Sequence, residues 1–226
     1  MAAPIIVLFD IDGTLISTGG ASRAAIVAAF ARRFGRDDLF DDFAFGGRTD
    51  RGIVRHGLTR AGLDPRDEDI DDLIEEYLPV LEATLATAPE HRLQPGVMAV
   101  LDALVGRCAL GLGTGNVERG ARIKIERFGL NPRFEFGGFG CDAEARAGLI
   151  AAGIARGAAR LGVPVGGCRA VVVGDTPLDV EAARANGARC VAVATGGATR
   201  AALMAAAPDA LFDDLTAREV VEAILG

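Results

Sequence analysis

Ile5-Ile6-Val7-Leu8-Phe9-Asp10-Ile11-Asp12-Gly13-Thr14-Leu15 carries five apolar residues straight into two carboxylates and a glycine corner. A short apolar run that stops at a turn signal reads as a strand buried on both faces, as in a parallel sheet. In open parallel sheets, ligands bind at the carboxyl ends of the strands, where Asp10 and Asp12 emerge. Alternation points the two carboxylates to the same side. Gly13 and Thr14 open the chain into a turn whose amides can face an anion. Two like charges this close are costly without a cation or a shared proton. An acidic turn with Asp12-Gly13 as its corner explains the same residues if they stand alone.

They do not stand alone. Further apolar runs, rich in β-branched residues, stop at glycine or acidic loops: Cys108 to Leu112, Phe134 to Phe136, Ala170 to Val173, Cys190 to Val193 and Ala210 to Phe212. Alanine-rich helical stretches alternate with them, at Val97 to Val105, Val117 to Phe128, Arg146 to Leu161, Leu178 to Asn186, Thr199 to Ala206 and Ala217 to Leu225. Gly129, Gly162 and Gly187 supply stop signals. The rhythm predicts an α/β fold, a Rossmann-like open parallel sheet. Between Ser17 and about Pro89 there is helical periodicity without a strand, which predicts an inserted all-helical unit. Ser22 is placed to cap its first helix and Thr49 its second, and a third, long helix follows Asp67. Ser17-Thr18-Gly19-Gly20 and Gln94-Pro95-Gly96 read as the joints. The expected division is 1–17 with 90–226 for the α/β core and 18–89 for the insertion.

Composition narrows the function. Of 226 residues, 50% are apolar and 24% charged, enough to bury a core. The formal net charge of −7 leaves no basic face with which to displace phosphate counterions, so nucleic acid is not an expected partner. No run has the length of a membrane span, and Asp10 interrupts the N-terminal apolar stretch before it reaches signal length, so a cytoplasmic location with no membrane partner is expected. Cys108, Cys141, Cys168 and Cys190 are widely spaced, and read as reduced, mostly buried small residues. The acidic residues from Asp64 to Glu76 read as a solvated helix face with acids near its N-terminus. The sequence leaves oligomeric state open.

Two more strand ends carry chemistry. Gly113-Thr114-Gly115-Asn116 follows the second strand, a hydroxyl-bearing loop opening a helix, which suits one phosphate held by a hydroxyl and by helix N-terminal amides. A simple helix cap at Thr114 fits it about as well. Asp175-Thr176-Pro177-Leu178-Asp179 follows the fourth strand, with acids four residues apart at a strand-to-helix turn.

Taken in this order, the three loops resemble the haloacid dehalogenase-like hydrolase superfamily, phosphoglycolate phosphatase-like and of its small helical cap type. Asp10 to Leu15 matches the first motif, Thr114 the second, and Gly174 to Asp179 the fourth. Arg146, at the start of the helix before the fourth strand, is the better match to the third motif, although Ala147 stands where many relatives have proline. Lys124, the only lysine, is expected on a solvated helix face.

The resemblance implies that the first strand lies between the second and fourth, and that their motifs meet in one crevice. Asp10 is then the nucleophile, forming an aspartyl-phosphate, and Asp12 the general acid and base. Mg²⁺ is the implied cofactor, bound by the Asp10 carboxylate, the Asp12 backbone carbonyl and Asp175. Thr114, Gly115 and Arg146 hold the phosphoryl oxygens, and Asp179 steadies the metal site or Arg146. In the insertion, Gly46-Gly47-Arg48-Thr49-Asp50 looks like the family's substrate-reading loop, with Arg48 and Thr49 as its contacts. The implied activity is hydrolysis of a small phosphorylated metabolite. A sugar phosphomutase similar to β-phosphoglucomutase is the alternative, and a silent or phospho-accepting binding module the alternative of another class.

Overall fold

In chain order the elements are β1 (Ile5–Phe9), β2 (Ile16–Ser17), α1 (Ala21–Phe34), α2 (Asp50–Arg60), α3 (Asp67–Thr87), β3 (Arg92–Leu93), α4 (Val97–Leu104), β4 (Ala109–Gly113) and α5 (Glu118–Glu126). There follow β5 (Phe136–Gly138), α6 (Arg146–Leu161), β6 (Arg169–Gly174), α7 (Pro177–Ala185), β7 (Arg189–Val193), α8 (Arg200–Ala206), β8 (Ala210–Phe212) and α9 (Glu219–Leu225). The structure is a computed structural model describing residues 3–226.

β1 is buried at all five positions. Val7 and Phe9 pack with Val100, Leu104, Ile125 and Val220 of α4, α5 and α9. Ile6 and Leu8 face the other way, onto Leu149, Ile150, Ile154 and Val180 of α6 and α7. Period-two alternation thus delivers apolar side chains to two helical layers, which is why the strand reads as an unbroken apolar run.

Six parallel strands form one sheet in the order β5-β4-β1-β6-β7-β8, with β1 between β4 and β6. The fold is the Rossmann-like α/β architecture expected. Phe9 pairs with Leu112 on one side and Val173 on the other. That register makes Asp10, Thr114 and Asp175 leave the sheet side by side.

Helices α1 to α3 enclose a cluster of their own, built on Ile26, Phe30, Phe40, Leu58, Leu73, Tyr77 and Leu81, with Val117 joining it from the start of α5. A two-residue antiparallel ribbon pairs β2 with β3 where the chain leaves the α/β layers and where it returns. Strands of this length leave no periodic trace, so the sequence shows these positions only as joints. No helix among the described residues is long and apolar enough to cross a membrane.

Four local expectations need correction. The third strand is Phe136–Gly138 rather than Phe134 to Phe136. Phe134 instead buries in the core after a short 3-10 turn, while a Cβ at Gly138 would overlap the Leu149 carbonyl of α6, so glycine permits the close packing. Ser22 does not cap α1: Gly20, left-handed at φ 88°, holds that position, and the Ser22 hydroxyl bonds Thr18. The cysteines are all free, but only Cys190 is buried, because Cys141 lies in the exposed loop after β5 and Cys108 and Cys168 just before β4 and β6. Lys124 is the fourth, and belongs to the site.

Candidate active site

A cavity of about 810 Å³ lies over the carboxyl ends of β4, β1 and β6, roofed by the inserted helices. Asp10, Asp12, Thr114, Gly115, Arg146 and Asp175 line its floor, and Arg48, Asp50, Ile53 and Tyr77 line its roof. His56 and His91 take no part. One stacks on Phe43 and the other bonds the Lys124 carbonyl.

Asp10 is 5% exposed and Asp175 2%. Gly13, at φ 90°, lets the turn pass against Asp175, where a Cβ would collide with the carboxylate, and Thr14 donates its hydroxyl to Asp175 Oδ1 at 3.1 Å. Asp179 completes a buried acidic group in which one carboxylate oxygen from each of Asp10, Asp175 and Asp179 lies within 4.8 Å of the others. Its members are not equivalent. Asp179 Oδ1 accepts from Arg146 Nε at 2.7 Å, and its Oδ2 from the Thr176 amide and hydroxyl at 3.0 and 2.7 Å. Both its oxygens are therefore committed, whereas Asp175 has one oxygen without a donor among the described residues.

The electrostatics follow from this packing. Burial pushes the Asp10 carboxyl up to about 6, against the pull of Arg146 and with help from Asp179 and Asp12. Burial, then Asp10 and Asp179, drive Asp175 well above the usual carboxylate range. Hard oxygen donors crowded without enough positive charge suit a hard divalent cation, so the residues fit one. Because their native pKa values lie above the unfolded ones, the metal-free chain binds more protons than its unfolded form as pH rises from about 4, and the contribution Asp10 makes to stability is lost as pH rises through its value of about 6, with Asp175 displaced in the same direction. We expect the Tm of chelator-treated protein to fall from about pH 5 to about pH 7 and Mg²⁺ to restore it. A wild-type Tm that climbs over that interval, with Asp10→Asn giving the same curve, would contradict the assignment.

Arg146, at the first position of α6, is 8% exposed. Its Nη2 lies 2.9 Å from Asp10 Oδ1 and 2.5 Å from Asp179 Oδ1, and its Nη1 donates to the Gly47 carbonyl at 3.2 Å. The guanidinium is thus a clamp between the end of β1, the first turn of α7 and the loop before α2. Thr114 is fully buried, and its hydroxyl accepts from Asn116 Nδ2 at 2.7 Å.

Lys124 is not on a solvated face. It is 2% exposed, and its Nζ reaches Asp12 Oδ2 at 2.6 Å and Asn116 Oδ1. Asn116 Nδ2 bonds the same Asp12 oxygen at 2.9 Å. Burial raises the Asp12 pKa, but the Lys124 charge and hydrogen bond, with Asn116, outweigh it and hold the carboxyl below its ordinary value. The signal was in the sequence: Val117, Ala121, Lys124 and Phe128 form an i, i+4, i+7, i+11 stripe, the inward face of α5.

In the loop before α2, Thr49 caps that helix, its hydroxyl accepting from the Gly52 amide at 3.1 Å. Arg48 is exposed at the rim, stacked 4.5 Å over Phe43 with Nε on the Ala44 carbonyl. Asp50, the last residue of the Gly46–Asp50 stretch, is 4% exposed, and burial pushes its carboxyl up to about 6 against Lys124 and the Val117 amide.

Fold and site together define an α/β enzyme with an acidic crevice at its strand tips. Residues 6–187 match the family of haloacid dehalogenase-like hydrolases, and the chain belongs to it. It is similar to the phosphoglycolate phosphatase of Synechococcus elongatus, 32% identical over 223 residues that cover 96% of each chain. It is also similar to the phosphoglycolate phosphatase of Rhodospirillum rubrum, 30% identical over 220 residues that cover 93% of this chain and 88% of the other. A solved structure of a predicted phosphatase from Clostridium acetobutylicum shares the fold at TM-score 0.71 and 18% identity, covering 100% of this chain and 99% of that one. The chain is an enzyme of the phosphoric monoester hydrolase class.

Proposed function

We propose that the protein is a Mg²⁺-dependent phosphatase of a small phosphorylated metabolite, working through an aspartyl-phosphate on Asp10. The observation that carries this is the pair Asp10 and Asp175, buried at the tips of adjacent strands with Arg146 the one cation beside them among the described residues. The two carboxylates and the Asp12 backbone carbonyl would hold Mg²⁺, whose charge would let the phosphoryl oxygens approach Asp10.

A carboxylate oxygen of Asp10 forms a bond to phosphorus as the ester P–O bond breaks, and Asp12 gives its proton to the leaving oxygen. Lys124 keeps that carboxyl ionised before substrate arrives. Phosphate entering the crevice adds negative charge, which raises the proton affinity of Asp12 for this half-reaction. Asp12 then takes a proton from water, the water oxygen bonds to phosphorus, and the Asp10–phosphorus bond breaks. Arg146 and the loop Thr114-Gly115 hold the phosphoryl oxygens through both displacements, and Asp179 fixes the guanidinium. Arg48 and Thr49 line or support the roof beneath which the leaving group sits.

The test is phosphate release across phosphorylated metabolites with and without Mg²⁺, beginning with phosphoglycolate, the substrate in the names of both relatives. Release that requires Mg²⁺ supports the reading, and isomerised sugar phosphate without release would move the protein to the mutases. Asp175→Ala should remove activity and weaken Mg²⁺ binding by calorimetry, and unchanged Mg²⁺ affinity would relocate the metal.

A further inference from the structure

Val117 occupies the N-cap position of α5 but has no side-chain acceptor to offer. The acceptor comes from 67 residues away: Asp50 Oδ2 takes the Val117 N–H at 2.9 Å. The Asp50 amide in turn donates to the Gly115 carbonyl at 2.8 Å. One residue of α2 thus grips the segment Gly115–Val117 at both ends, once as acceptor and once as donor.

The approach is backbone against backbone. A Cβ on Gly115 would overlap the Arg48 carbonyl, and one on Gly140 would overlap the Gly115 carbonyl. The Gly140 amide bonds the Asn116 carbonyl at 2.8 Å. Thr114–Val117 is therefore held between the loop before α2 and the loop after β5. The same helix α5 carries Lys124 to Asp12, so a shift at its first residue would be felt at both ends of the site.

We infer that Asp50 is a positioning residue, whose clasp on Gly115 and Val117 sets the phosphate-binding segment and the start of α5. The inference rests on the phosphatase reading for the role of that segment. Asp50 touches no reacting atom. Its carboxylate supplies an acceptor that α5 lacks, and losing a capping acceptor of this kind costs about tenfold in an equilibrium it controls.

Asp50→Ala and Asp50→Asn separate this from a merely structural role. We expect Asp50→Ala to weaken inhibition by inorganic phosphate and raise KM about tenfold or more, while Mg²⁺ affinity, which belongs to Asp10 and Asp175, stays within about twofold. Asp50→Asn keeps an acceptor oxygen and should recover most of the loss. Hydrogen exchange at the Val117 amide, read without any substrate, should speed up in the Ala variant and return toward wild type in the Asn variant. Wild-type phosphate inhibition and KM in Asp50→Ala would overturn the inference, as would equal loss of phosphate and Mg²⁺ affinity. If wild type itself releases no phosphate from any ester, the phosphatase reading fails first, and the exchange result still decides whether the clasp exists.

Discussion

Asp10→Asn is expected to abolish turnover, by a factor on the order of 10⁴ or more, while leaving the fold intact. The amide has the shape of the carboxylate but is a far poorer nucleophile, so the first displacement has nothing to start it. Stability should move the other way. Asp10 is one of three carboxylates crowded into a buried group, and burial already pushes its proton affinity up. Removing its charge relieves repulsion with Asp175 and Asp12, and the metal-free variant should melt at or above the wild-type temperature near neutral pH. Thermal unfolding in chelator, beside phosphate release after spontaneous deamidation has been excluded, checks both halves. A variant that is dead because it is unfolded would refute the relief argument, and wild-type turnover would refute the nucleophile.

Arg146→Ala is expected to lower turnover about 10²- to 10³-fold, because the lost donors serve charge that spreads over the phosphoryl oxygens. It should also cost stability, on the order of 3–5 kcal/mol in the metal-free protein, because Asp10 and Asp179 are left buried without their cation. For a chain of this length that is a fall in Tm of roughly 10 °C. Arg146→Lys should recover part of both losses, since charge returns without the planar fork that spans two carboxylates. Lys124→Met acts elsewhere. It leaves the phosphate clamp whole but frees Asp12 from its charge partner, so the pH dependence of turnover should shift upward while phosphate inhibition changes little. If both variants lose phosphate inhibition equally, the division of labour between the two bases is wrong.

That division shows where sequence reasoning reaches its limit. Asp10, Thr114 and Asp175 were legible as neighbours because each ends an apolar strand, and strands of a parallel sheet deliver their ends to one edge. Helix boundaries such as Arg146–Leu161 were legible from Gly162, a left-handed stop. Lys124 was misread because a lysine in a helix is ordinarily solvated, and only the stripe it shares with Val117 and Ala121 marks it as inward. Asp50 was legible only as the end of the loop before α2, and its contact with α5 was not. Its acceptor role depends on a loop 67 residues away arriving at the right distance, a fact of packing with no local trace. The same holds for Arg146, whose burial against Asp179 comes from α6 and α7 closing over one another.

The central claim is a phosphoryl group carried by Asp10, and rapid acid quench during the first turnover, followed by mass analysis of the peptide containing Asp10, measures it most directly. The account predicts a phosphoryl group on that carboxylate in wild type, missing from Asp10→Asn, and accumulating in Asp12→Asn when the ester is an aryl phosphate, whose leaving group needs no acid while hydrolysis still lacks its base. Phosphate released in the first turnover with no covalent label at any time, or a label on another residue, would contradict it.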